Sequence, residues 1–412
     1  MSVRHYLLSL YELAVKTSQP ATCVPAALKQ FDPTQRVCIA GAGKAAADMA
    51  AEAYAYFGDN AYGKVVTRYG YDTRKPTGNI EVLLAAHPVP DANSERAGQA
   101  LLKLVAMADK HDPVLFLISG GGSALACVPA AGISLDEKLK LHQFLLRSGA
   151  SIEQINTVRK HVSAIKGGRL AAQCSGPMTT LAISDVVGDS PQYIASGMTV
   201  ADTSTPADAL AILKQFQWPE GTITHYLEQA PALPEVAMDY QIIANAEQAI
   251  DAARTMACKD GWNTAVISTR ETGEASQVAK EHAKIAKSYA AKGEPFLLFS
   301  GGELTVTMGQ ATGEGGPNQE YLMTLAHELN GVNGVTALAA DTDGVDGSRD
   351  VAGAIIDDTT LSRAAQMGLD IHGLISNHDS FAFFDKLKDH ISIGPTRTNV
   401  NDFRVICVQG NA

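Results

Sequence analysis

The sequence predicts an α/β protein of two domains, the first built on a parallel sheet. Three observations carry this. Short apolar runs bounded by glycine, proline and aspartate alternate with amphipathic stretches, the pattern of strand-helix units joined by right-handed crossovers. Two of those runs, residues 37–40 and 114–118, stop on glycine clusters, Gly41-Ala42-Gly43-Lys44 and Ser119-Gly120-Gly121-Gly122-Ser123, which lead into small helix-forming residues. The chain has 412 residues, more than one core usually organises at about 150 per domain.

The elements follow in order. Residues 1–14 form an amphipathic first helix. After the strand at 37–40 comes an alanine-rich helix through Met49, then strands at 64–68 and 80–86. Residues 94–110 are helical, with Leu101, Leu104, Val105 and Ala108 on one face. The run at 114–118 is apolar without alternation, as a strand buried on both faces requires, and 135–149 is a helix. Between 151 and 173, Arg159, Lys160, His161, Lys166 and Arg169 accumulate; on one continuous helix Arg159 and Lys166, seven apart, would share a face. A strand over 179–187 places Asp185 near its C-terminal end, where open α/β sheets bind ligands. Prolines and lost periodicity over 217–234 set a boundary near 235, giving domains 1–235 and 236–412. The second half repeats the alternation: strands at 241–244, 263–268, 295–299, 335–340 and 403–408, helices at 246–259, 274–291 and 318–328. Ser300-Gly301-Gly302-Glu303 echoes the Ser119 cluster and predicts a similar turn.

Composition narrows the function. Hydrophobic content of 46% and charged content of 19% are those of a globular protein and exclude disorder. A net charge of -11 leaves no general basic face, so nucleic acid and anionic membrane are not expected partners, and any anionic ligand must find a local basic cluster. The six cysteines include no C-x-x-C pair, which argues against a disulfide framework or zinc site. No apolar run reaches membrane-spanning length and the N-terminus lacks a signal-peptide pattern, so a cytoplasmic location is expected.

The glycine clusters are the main chemical signal. Without Cβ atoms, Gly120, Gly121 and Gly122 let backbone N–H groups approach an anion, and the helix that follows would add about half a positive charge. The same turn also serves as a plain strand-helix connection. Gly41-Ala42-Gly43-Lys44 resembles a dinucleotide fingerprint, but the acidic residue expected after the next strand is absent; Ala45 occupies the place of the Ser or Thr of a phosphate-binding P-loop. What remains is Lys44 as a point charge for phosphate or carboxylate. Asp341-Thr-Asp343-Gly-Val-Asp346-Gly lacks the glutamate of a calcium loop and suits magnesium or a substrate hydroxyl better. His87 and His378 read as structural histidines, and Ser123 lies outside a G-x-S-x-G elbow.

Together these segments resemble the type II glycerate kinases, a family whose members also carry the name hydroxypyruvate reductase. The resemblance rests on Gly41-Ala-Gly-Lys44-Ala-Ala, Ile118-Ser-Gly-Gly-Gly-Ser123-Ala, Asn156-Thr-Val-Arg159-Lys160-His-Val-Ser, Ile165-Lys166-Gly-Gly-Arg169-Leu-Ala, Ser184-Asp185-Val-Val-Gly-Asp189, Asn318-Gln-Glu320, Asp341-Thr-Asp343-Gly, Asn377-His-Asp379-Ser and Gly394-Pro-Thr-Arg397-Thr-Asn399-Val-Asn-Asp402, in order along the chain. It implies a Rossmann-like N-terminal domain, a smaller C-terminal α/β domain, an active site in the cleft between them, and phosphorylation of D-glycerate by ATP with magnesium, usually at the 2-hydroxyl. On this footing Gly41, Gly43, Ser119, Gly120, Gly121, Gly122, Ser123 and Asn318 are expected to bind ATP. Lys44, Arg159, Lys160 and Asp185 are expected to act in catalysis, with Asp185 and Asp189 holding Mg2+. Lys166, Asp343, Asn377, Asp379, Arg397 and Asn399 are expected at the small-molecule acceptor; a homodimer is compatible with the sequence. Two departures stand out: Pro317 where family members carry arginine in Gly-Gly-Arg-Asn-Gln-Glu, and Arg397 in place of a glycine. The alternatives are a nicotinamide-dependent hydroxypyruvate reductase and a non-catalytic sensor of sugar phosphates or nucleotides.

Overall fold

Two sheets organise the described residues, 1–237 and 239–410 of the computed structural model. The first comprises β1 (Val37–Ala42), β2 (Ala61–Arg68), β3 (Asn79–Ala85), β4 (Val114–Ile118), β5 (Met178–Ile183) and β6 (Asp239–Ala244), in the order β3-β2-β1-β4-β5-β6. Neighbours from β3 through β5 pair in parallel. This is the doubly wound Rossmann order, and its direction of winding reverses between β1 and β4, which lie side by side with Ala42 opposite Ile118. Every residue of β1 and of β4 is buried, which explains their unbroken apolar sequence.

The second sheet comprises β7 (Asn263–Glu274), β8 (Phe296–Thr305), β9 (Val335–Asp341), β10 (Gly353–Ile356), β11 (His390–Ile391) and β12 (Asp402–Val408), ordered β11-β10-β9-β12-β8-β7. It is mixed: β7 and β8 are parallel, whereas β12 runs antiparallel to both β8 and β9. The echo of the Ser119 cluster does not form a second turn. Gly301 and Gly302 continue inside β8, paired with Phe403 and Asp402, and a bulge in β7 accommodates them: a Cβ on Gly302 would stand 2.1 Å from the Glu271 carbonyl oxygen.

The chain divides into the units Pro20–Ile243 and Met1–Gln19 with Ala244–Ala412. These differ in two places from a cut near 235. Strand β6 completes the first sheet, and helix Val3–Ser18 belongs with the second, where it buries Leu7, Leu10, Tyr11 and Ala14. Within the first unit, helices Leu135–Arg147, Ile152–His161, Pro206–Gln215 and Thr222–Gln229 enclose a separate apolar cluster around Leu141, Leu145, Val158 and Leu213. The last of these helices occupies the segment whose prolines suggested a linker. All six cysteines are free. Among the described residues no helix is long and apolar enough to cross a membrane.

Candidate functional site

The two glycine turns leave the C-terminal ends of β1 and β4, at the point where the winding reverses. They are stitched to each other: Lys44 N–H donates to the Gly120 carbonyl at 2.8 Å, Ser119 N–H to the Ala42 carbonyl at 3.2 Å, and Ala45 N–H to Ser119 Oγ at 3.0 Å. Gly43 is required here, because a Cβ would lie 2.1 Å from Ser119 Oγ. With these bonds made, the N–H groups of Gly120, Gly121 and Ser123 have no protein acceptor among the described residues. The helix after the turn is short, Gly122–Leu125, so the site offers discrete N–H donors and not the macrodipole expected of a full helix.

Side chains from distant segments close on this turn. Strand β5 stops at Ile183, four residues before the sequence suggested, and Asp185 leaves it to lie against Gly120, where a Cβ would meet Asp185 Oδ2 at 2.1 Å. The His87 ring packs on Gly121. Burial first, and then the Lys44 and Arg68 charges, push His87 down to about 4, so the ring is neutral at neutral pH. His87 and Arg68 carry no local signal that would attach them to the turn. Asp189 sits beyond, in the turn after β5, at φ 56°.

The basic segment is not one helix. Helix Ile152–His161 ends before Lys166, which follows in a turn, so the shared helical face predicted for Arg159 and Lys166 does not exist. Tertiary structure unites them instead: Arg159 Nη2 and Lys166 Nζ both donate to Ser123 Oγ, and Lys166 Nζ also reaches the Ser123 carbonyl at 2.7 Å. Lys160 points elsewhere, into a buried ion pair with Asp202. Asn156 supports the Ser123 hydroxyl through Ser196, each link 3.1 Å.

The second unit holds the remaining candidates. Asp346 is an anchor: Oδ1 accepts from Asn318 N–H at 3.0 Å, and Oδ2 from Gln319 N–H and Nε2, each at 2.9 Å, fixing the start of helix Pro317–Glu328. Asn318 Nδ2 also donates to Asp402 Oδ1 at 2.6 Å. Asp343 lies in the loop after β9, against the loop that carries Arg397 and Asn399; Thr396 N–H donates to the Asp343 carbonyl at 3.1 Å. Burial, reinforced by Asp343 and Asp402, raises Asp341 well above the carboxylate range, and burial lifts Asp346 to about 6. Asn377 and Asp379 hold the loop at 312–314: Asn377 Oδ1 accepts from Thr312 N–H at 3.1 Å and Asp379 Oδ1 from Glu314 N–H at 3.3 Å. Asn399 Oδ1 accepts from Asn401 N–H at 2.9 Å.

A doubly wound sheet with paired glycine turns at its switch point, followed by a mixed α/β unit, defines a two-domain α/β class, and comparison with known proteins resolves it further. Residues 6–228 match the domain of unknown function DUF4147, and residues 296–402 match the MOFRL family. The D-glycerate 2-kinase of Thermotoga maritima is 39% identical, with 96% of this chain and 97% of that protein covered. A protein of Agrobacterium vitis provisionally named hydroxypyruvate reductase is 41% identical over 99% of this chain and 95% of its own. The crystal structure of glycerate kinase from Thermotoga maritima superposes with a TM-score of 0.92 at 36% identity, covering 98% of this chain and 99% of that one. The chain belongs to the glycerate 2-kinase family.

Proposed function

We propose that this protein transfers the terminal phosphoryl group of ATP to the 2-hydroxyl of D-glycerate. The observation that carries the reading is the stitched pair of turns between β1 and β4, with the Gly120, Gly121 and Ser123 N–H groups left for an anion beside Lys44. Relatives spanning nearly the whole chain bear the name glycerate 2-kinase, which supports the acceptor.

Phosphoryl transfer needs charge neutralisation on the moving group and a positioned hydroxyl more than it needs covalent chemistry. In this reading the N–H groups of the Ser119 turn hold phosphate oxygens, Gly41 and Gly43 allow the two turns to close together, and Lys44 supplies a point charge. Arg159 is the better second cation, since Lys160 is neutralised by Asp202. Magnesium bound with a nucleotide takes one or two carboxylates alongside phosphates and water. Asp185, held against Gly120, fits that requirement, with Asp189 next in the same loop. Such an ion would neutralise phosphate charge, leaving Asp185 or Asp189 to hold it or to accept the hydroxyl proton. In the second unit Asn318 is the proposed nucleotide contact, and Asp343, Arg397 and Asn399, with Asn377 and Asp379 at the 312–314 loop, are the proposed acceptor contacts.

The names of the Agrobacterium vitis relatives favour a second reading, reduction of hydroxypyruvate by a nicotinamide cofactor. Against it, β2 ends on Arg68 and continues into Tyr69 and Gly70, with no carboxylate for a ribose. One pair of assays separates the two: ADP released from ATP with D-glycerate, and NADH oxidised with hydroxypyruvate. Phosphorus NMR of the product reads the hydroxyl used. Lys44→Ala is expected to lower kcat by about 10³-fold or more; turnover within about twofold of the parent would remove Lys44 from the mechanism.

A further inference from the structure

Between the Ser119 turn and the helical cluster of the first unit lies a cavity of about 40 Å3 whose wall carries Lys138, Arg159 and Lys166 together with His142. None of its lining residues is a carboxylate; Glu95, outside the wall, is the carboxylate whose charge reaches Lys138, and it is the weakest influence there. Lys166 is 1% exposed and Lys138 7% exposed. Among the described residues no carboxylate pairs with any of the three cations within 4.0 Å. Their partners are neutral and too few: one hydroxyl, Ser123 Oγ, serves both Arg159 and Lys166, and Lys138 Nζ has the Val128 carbonyl at 3.2 Å. His142 Nδ1 is buried with no hydrogen-bond partner.

Burying one unpaired charge is costly, and burying three of the same sign in one small cavity compounds desolvation with repulsion. The side chains register this: burial, then Arg159 and Lys138, drives Lys166 well below the ordinary lysine range, and burial takes Lys138 to about 8. Such an arrangement is complete only with a counter-charge. At roughly 10–15 Å3 per water the space takes about three waters, or an oxyanion head with a short stem against the apolar wall of Leu141 and Leu145.

We infer that this cavity binds a small oxyanion through Lys138, Arg159 and Lys166, with His142 as a further hydrogen-bonding partner. The shared chemistry is a carboxylate or phosphate head. It could come from the acceptor or from inorganic phosphate; only the first choice rests on the kinase reading.

The test uses the full chain without ATP, titrated calorimetrically with D-glycerate and, separately, with inorganic phosphate. The parent should bind at least one of them. Lys138→Met should weaken that binding about tenfold or more, the scale of one lost charged hydrogen bond, and Lys138→Arg should stay within about threefold, since the charge is kept. In anion-free buffer Lys138→Met should melt no lower than the parent, because removing one of three crowded cations relieves repulsion. D-glycerate binding that depends on Lys138 assigns the acceptor's carboxylate; phosphate binding that depends on Lys138 assigns an inorganic anion. No binding of either by the parent, or binding unchanged in Lys138→Met, overturns the inference. Loss of ADP release in the kinase assay with Lys138-dependent phosphate binding retained would sink the kinase reading and leave the site standing.

Discussion

Arg397 and Pro317, the two departures from the family pattern, have opposite backbone consequences. Pro317 opens helix Pro317–Glu328 at its first position, where the missing N–H is no loss and the fixed φ is already helical. The substitution therefore removes a guanidinium at no conformational cost. Arg397 instead adopts φ 67°, the left-handed region that glycine enters freely and other residues enter at about 1–2 kcal/mol. A residue kept there at such a cost is expected to have a use. Arg397→Gly should relieve up to about 1 kcal/mol of that strain, offset by the greater freedom of glycine in the unfolded chain and by loss of the interaction the Arg397 side chain makes, so the urea midpoint should move little at unchanged slope. If Arg397 contacts the acceptor, the same variant raises KM for D-glycerate; KM unchanged would strike Arg397 from the acceptor site.

Helix Pro317–Glu328 shows how an element can depend on one side chain outside it. Its first turn presents N–H groups that would otherwise be unsatisfied, and Asp346 receives those of Asn318 and Gln319 together with both of their side-chain amides. Asp346→Ala would strand these donors in a buried site and should cost about 3–5 kcal/mol, measured by thermal unfolding of the second unit. Asp346 reads in the sequence as a metal or substrate carboxylate, because its motif shows acidity but not the amides it meets in space. The same limit runs through the site. β4 and helix Ala246–Lys259 are fixed by local periodicity, and both match their sequence-based bounds. The glycine turns are likewise legible, since turn chemistry is local. Lys138 looks like a solvated lysine on an amphipathic helix, and only the packing of Leu141 and Leu145 into the helical cluster turns its stem inward. Gly301 and Gly302 read as a stop signal, but pairing with β12 on one side and a bulged β7 on the other carries the strand through them.

At the scale of the whole molecule, the two ends of the chain build one unit and the middle builds the other. Helix Val3–Ser18 is integral to the second unit: Tyr11 donates to the Asp341 carbonyl at 2.7 Å, Arg4 pairs with Asp357 and Asp389, and Thr398 Oγ1 donates to the Ser18 carbonyl at 2.7 Å. Deleting residues 1–19 should abolish the calorimetric transition of the second unit and leave that of Pro20–Ile243 in place; loss of both together would contradict it. Acid should separate the units in the opposite sense. His87, His142 and His161, all in Pro20–Ile243, are lowered by burial from 6.5 to about 4. Held neutral when folded, each contributes stability that is present above pH 6.5 and lost as pH falls through that window, on the order of 3 kcal/mol at most per histidine. Among the described residues of the second unit burial lowers two histidines, His282 to about 4 and His390, and the unit also has carboxyls shifted the other way: Asp346 to about 6, with Asp341 and Glu320 raised. A raised carboxyl binds its proton earlier in the folded state, so its contribution grows as pH falls from about 6 towards 4 and offsets the histidine loss. Scanning calorimetry at pH 7.5 and pH 5, with isolated Pro20–Ile243 to identify its transition, should show that transition dropping the further of the two. Equal shifts, or a larger drop in the second unit, would mean that the buried histidines are not what sets acid stability here.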